Sequence, residues 1–222
     1  MIPPESDGEF VACMEDVLEV YTRPYESSIP VICMDEQPIQ LLKETRTPIA
    51  ATKQHPKRVD YEYERAGTAS IFMFTEPLAG KRKVSVRAQR TKVDWAFEVE
   101  ALLRTDYAEA EKIILVCDNL NTHTRGAFYE AFPAEKAREI VKRIEFHYTP
   151  KHGSWLNIAE CELSAMTRQS LSDQRFATIE LLSQHIQAWA DTLNQKQRGV
   201  NWQFSLDNAR QKLKSLYPKV EI

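Results

Sequence analysis

KIILVCDNLNTHT, residues 112–124, is the stretch that decides how this chain is read. From Ile113 to Cys117 every side chain is apolar, so both faces of the segment must be covered, as in a central strand of an α/β sheet. The run stops at Asp118 and gives way to a dense polar cluster. In open α/β sheets ligands gather just beyond the carboxyl ends of strands, which makes Asp118 a candidate functional acid. A plainer alternative is a polar loop in which Asn121 or Thr122 caps the next helix.

Two other acids stand in comparable settings. VICMD, residues 31–35, is a short apolar run closed by an acid. With strand periodicity, Val31, Cys33 and Asp35 share one face, and Ile32 and Met34 the other. The expected strand ends at Asp35 and is stopped at Pro38; the acid could instead cap a turn into Glu36-Gln37-Pro38. Downstream, HYTPKHGSWLNIAE (residues 147–160) is an aromatic-rich loop leading into a helical pattern. Glu160 lies in the first turns of that helix, where an acid also complements the helix dipole. Glu162 is two residues on and points away, so only one of the pair can face the aspartates.

The remaining pattern gives the order βββ-α-β-α-β-α, preceded and followed by helices. Phe10, Met14, Val17, Leu18 and Tyr21 recur at helical spacing over Glu9–Tyr21. Asp60–Arg65 and Ala69–Thr75, broken by Ala66-Gly67, predict two strands of a hairpin, and Lys83–Gln89 a third strand. Helices are predicted over Thr91–Ala108, Thr122–Phe132, Ala134–Val141, Leu156–Arg168, Ile179–Gln195 and the tail Phe204–Pro218, with a short strand at Arg143–His147. A mixed sheet with helices on both faces accommodates this order.

Composition narrows the class. The 222 residues are 43% hydrophobic and 27% charged, the balance of a globular domain. No apolar run approaches a membrane span, and the opening MIPPESDGEF lacks a signal-peptide layout, so a cytosolic location is expected. Cys13, Cys33, Cys117 and Cys161 form no C-x-x-C pair and are expected to be reduced thiols. The net charge of −3 argues against a free-standing DNA-binding module held by bulk electrostatics. It argues less against a catalytic domain whose acids are neutralised by metal. Lys81-Arg82-Lys83 and Lys53–Arg58 are candidate DNA-path residues, although charge runs are usually solvated loops.

Two strand-borne aspartates and a helix-borne glutamate repel one another unless divalent cations neutralise them. Two oxygen-ligated ions can activate a water or a 3′-hydroxyl and stabilise the leaving oxygen of a phosphodiester. Hard carboxylates suit Mg²⁺ or Mn²⁺.

The strings VICMDE, LVCDNLNTH and YTPKHGSWLNIAE together resemble the three signature blocks of DDE transposases of the mariner-like superfamily, especially its bacterial insertion-sequence branch. The second and third acids are 42 positions apart, from 118 to 160, within the short separation of that family. The resemblance implies a ribonuclease-H-like catalytic domain, with Asp35, Asp118 and Glu160 as catalytic residues and ligands of two Mg²⁺ or Mn²⁺ ions. Its reaction would be metal-dependent hydrolysis at transposon ends, followed by strand transfer into target DNA. Asn119 and His123 match polar positions of the second block, and Lys151, His152 and Trp155 of the third, as residues that support the ligands or contact DNA; Trp155 also reads as core.

The implied partners are terminal inverted repeats, target DNA and a second copy on paired ends, in a bacterial nucleoid. The implied division is 1–30 linker and N-terminal helix, 31–200 catalytic domain and 201–222 helical tail. Family members carry N-terminal helix-turn-helix domains, and the chain as given opens on what resembles the linker to the catalytic domain. A separately encoded DNA-binding subunit is one expectation that follows. A regulatory remnant and a plain ribonuclease-H-like nuclease are the alternatives.

Overall fold

A computed structural model of the chain describes residues 7–56, 58–172 and 174–219. Its centre is β4, Ile113–Asp118, whose first five residues are buried on both faces. β4 pairs in parallel with β1 (Val31–Glu44) on one side and β5 (Ile144–Thr149) on the other. β2 (Tyr63–Glu76) and β3 (Lys81–Arg87) extend the sheet antiparallel beyond β1, giving the order β3-β2-β1-β4-β5.

Each sheet face carries its own core. Cys33 of β1 and Ile114 and Val116 of β4 pack with α1 (Gly8–Thr22), α5 (Ile158–Met166), α6 (Ile179–Lys196) and α7 (Leu206–Lys212). Ile32, Met34, Ile113, Leu115 and Cys117 face the other way, against α2 (Lys92–Thr105), α3 (Arg125–Ala131) and α4 (Ala134–Lys142). The result is a mixed sheet with helices on both faces.

Three local expectations are corrected. β1 does not stop at Pro38; it runs to Glu44 beside β2. Its pairing with β4 ends at Cys33, so beyond that residue one edge of β1 has no strand partner, and the N–H that proline lacks is tolerated on such an edge. The Ala66-Gly67 break is not a hairpin turn either. β2 is one strand, and the register slips by one residue where Gln40↔Thr68 gives way to Leu42↔Arg65. Gly67, at φ 101°, supplies the left-handed conformation such a bulge requires. The third correction concerns α3, which starts at Arg125 rather than Thr122, because residues 119–124 are spent in a loop around the end of β4. The thiol expectation agrees with four free cysteines.

Candidate active site

The parallel register Cys33↔Val116 places Asp35 and Asp118 level with each other, each two residues further along its strand. Both continue the face of Cys33 and Val116, on the side where α5 lies. Glu160 comes in from the first turn of α5. The Asp35 carboxyl is pushed up to about 7, by burial first, with the charges of Asp118, Glu160 and Glu36 adding to it. An N–H from Glu36, 2.7 Å from Asp35 Oδ1, works in the opposite direction. The three acids therefore share one end of one sheet face, close enough for their charges to bear on one another.

The approach of α5 is fixed by Asn157. Its Oδ1 caps the helix through Ala159 N (3.1 Å), and its Nδ2 donates to Met34 O (2.8 Å), one residue before Asp35. Tyr21 of α1 donates to Leu156 O at 2.7 Å and holds the preceding loop. Gly153 is needed in that loop because a Cβ there would stand 2.5 Å from Pro150 Cγ.

Glu162 points the other way, as the two-residue spacing predicts. It takes a bidentate ion pair from Arg82 of β3, at 2.9 and 2.7 Å, in a buried setting. Arg82 also donates to the carbonyls of Gly80 and Arg198. It is thus a structural cation and not part of a DNA path, which corrects that expectation. Its neighbours Lys81 and Lys83 pair with Glu76 and Asp106. Lys53–Arg58 lies in the exposed connection between β1 and β2, with residue 57 outside the described residues.

Of the second-block residues, His123 is brought into the site and Asn119 remains exposed beside it. His123 is 1% exposed, and its ring stacks on Trp95 of α2 at 5.3 Å. Nδ1 lies 2.5 Å from Asp118 Oδ1, and Nε2 3.1 Å from Glu36 Oε1. Burial alone would pull the imidazolium down. The two carboxylates hydrogen-bonded to it prevail and raise it to about 9.

Glu36 escaped the sequence reading. One signal could have revealed it: strand alternation puts it on the face of Ile32 and Met34, where a charged residue needs a partner. In the third block, Lys151 and His152 are exposed, His152 at φ 66°. Trp155 is half-buried and packs edge-on against Phe204 at 5.8 Å.

Among the described residues, no three His, Cys, Asp or Glu side chains already converge as ligands of one ion. Asp118 Oδ1 is turned to His123 and Asp35 Oδ1 to the Glu36 N–H, and bare carboxylates keep apart. The donor set nevertheless suits a hard divalent cation, since all three groups are carboxylates.

The sequence signature described as "DDE superfamily endonuclease" matches residues 30–183, well over half the chain and inclusive of all three acids. The chain belongs to the DDE superfamily endonucleases. The DDE fold is seen again in solved structures. The catalytic domain of Mos1 mariner transposase aligns with a TM-score of 0.55 at 14% identity, covering 89% of this chain and 91% of that one. The Mos1 mariner paired end complex with Mn aligns at 0.55 and 15% identity, over 89% of this chain and 61% of that chain. The Mos1 transposase paired-end complex with left transposon end gives 0.54 and 16%, over 86% and 57%. This DDE chain thus spans about three-fifths of the length of the chains in those complexes. At such identities the likeness establishes the ribonuclease-H-like fold. A search of curated protein sequences finds no significant match. No helix among the described residues is long and apolar enough to cross a membrane.

Proposed function

We propose that the chain is the catalytic domain of a mariner-like DNA transposase of the bacterial insertion-sequence branch. It hydrolyses phosphodiesters at transposon ends and joins the freed 3′-hydroxyl to target DNA. One observation carries the reading: Asp35, Asp118 and Glu160 fall within the matched family segment and lie at one end of the sheet, near enough for the charges of Asp118 and Glu160 to act on the Asp35 carboxyl.

These three residues would hold Mg²⁺ or Mn²⁺, two ions in all, which when bound activate the attacking oxygen and stabilise the leaving one. The chain's own part is positional. Asn157 fixes the depth of Glu160 relative to Asp35, and His123 fixes the Asp118 carboxylate. Asn119, Lys151 and His152 are exposed at the same end and suited to contact the DNA backbone. Trp155 braces the loop that carries Lys151 and His152.

In this reading 31–200 is the catalytic domain, with 1–30 as linker and helix and 201–222 as tail. The buried faces of α1 and α7 join the same core, which supports their folding as one with it. Transposon-end and target DNA are the partners, two copies work on paired ends, and a helix-turn-helix part, on this chain or a separate subunit, recognises the repeats. A cytoplasmic, nucleoid-associated location follows.

The test is cleavage of a labelled duplex carrying the terminal repeats that flank the gene, in Mg²⁺ or Mn²⁺, beside Asp118→Asn. The expected result is nicking and strand transfer by the wild type alone. Cutting without strand transfer would favour a plain nuclease. Activity in both proteins would overturn the assignment.

A further inference from the structure

Asp35 and Glu36 are neighbours in sequence on opposite faces of β1. Asp35 looks toward α5, whereas Glu36 continues the buried series Ile32, Met34. The Glu36 side chain is 2% exposed. Oε1 meets His123 Nε2, and Oε2 is buried without any hydrogen-bond partner.

A half-satisfied carboxylate in such a place is costly, and an apolar residue would extend the core better. What Glu36 supplies is an anchor for His123. An imidazole held at one nitrogen alone can rotate about that bond. Acceptors at both nitrogens, with Trp95 stacked on the ring, leave it one orientation. In that orientation Nδ1–H engages Oδ1 of Asp118, whose side chain is 32% exposed and would otherwise sample several rotamers.

We infer that Glu36 is a positioning residue: acting through His123 from the far side of the sheet, it sets the orientation of the Asp118 carboxylate toward the cation site. The inference rests on the proposed reading of Asp118 as a metal ligand. Residues that orient metal ligands typically cost 10–100-fold in affinity when replaced.

Calorimetric titration of the metal-free protein with Mn²⁺ alone, with no DNA present, tests this. Glu36→Met, which roughly keeps the volume and removes the acceptor, is expected to weaken binding by about 10–100-fold, while Asp118→Asn abolishes it. Glu36→Met added to His123→Asn should weaken it no further than His123→Asn alone. Unchanged affinity in Glu36→Met, with Asp118→Asn still abolishing binding, overturns the inference and spares the metal reading. Wild-type affinity in Asp118→Asn overturns both.

Imidazole ¹⁵N resonances add a readout that a purely structural role would not move. Glu36→Met should shift Nε2 of His123 and, with it, Nδ1. In the unaltered protein, saturating Mg²⁺ should shift Nδ1. Ring resonances that stay put under Mg²⁺ overturn the inference whether or not the variants fold.

Discussion

Asn157 Nδ2 donates to the carbonyl of Met34 at 2.8 Å, tying the start of α5 to β1 one residue before Asp35. A single buried amide therefore sets the spacing between the helix that carries Glu160 and the strand that carries Asp35. Asn157→Ala removes a helix cap and leaves a buried carbonyl unpaired, at a cost of roughly 2–4 kcal/mol. Asn157→Asp keeps the acceptor for Ala159 N but loses the tie and sets a buried carboxylate against the Met34 carbonyl. Urea denaturation should find both variants less stable than wild type. Both should cut DNA less than wild type. Equal stability of all three would mean that the tie carries no weight.

Glu160 and Glu162 should separate cleanly into chemistry and stability. Glu162→Ala strands the buried Arg82 guanidinium, and breaking such a pair costs about 3–5 kcal/mol. Glu160→Gln removes one charge from a crowded set, so the metal-free protein should be as stable as wild type or more so, with DNA cleavage lost. Denaturation and cleavage assays on the two variants would expose an inverted assignment.

The metal-free protein should lose stability as pH rises. Asp35 is raised from 3.8 to about 7 in the fold, so its contribution is full below pH 3.8 and is lost as pH climbs through 7. His123 is raised from 6.5 to about 9, so its contribution is full below 6.5 and is lost through 9. The folded state holds more protons in both windows, and stability must fall across them. Asp35→Asn should remove the decline between pH 4 and 7, and saturating Mg²⁺ should flatten it in the wild type. Denaturation midpoints measured from pH 4 to 9 decide the matter; a wild-type profile identical to that of Asp35→Asn would refute it.

The β2–β3 turn is closed against the end of α6 by Gly80, at φ 65°. A Cβ there would stand 2.6 Å from the Gln197 carbonyl carbon and 2.7 Å from that of Arg198. Backbone strain and overpacking together should cost Gly80→Ala roughly 2–4 kcal/mol. The loss would appear as a lowered Tm. Gly67→Ala has open space around it and only the positive φ against it, so it should lose less.

Much of the fold was legible because burial writes itself into apolar runs. Ile113–Cys117 announces a central strand, and helical spacing over residues 9–21 and 179–195 announces α1 and α6 within a residue or so. Less legible was anything fixed by a partner far away in sequence. β1 beyond Asp35 has a polar, proline-bearing sequence that reads as a turn, and only its pairing with β2 keeps it extended. Arg82 sits in a basic run and becomes a buried cation only because Glu162 lies opposite it. The site divides the same way. The three acids stand out at the ends of apolar runs and after the SWLN loop, whereas Glu36 looks like one more polar residue after Asp35 until His123 is seen against it.

Because Asp35 and Glu36 occupy alternate faces, the site depends on parity along β1. Adding or removing one residue between Val31 and Glu36 would exchange the two acids, sending the Asp35 carboxylate into the Trp95 core and that of Glu36 toward α5. Further along, the chain absorbs an odd residue without harm to the site, in the bulge at Gly67 opposite Gln40–Leu42. Length variation in this molecule is thus tolerable on one side of the acids and not on the other, and a one-residue insertion scan along β1 and β2 should find that border at Glu36.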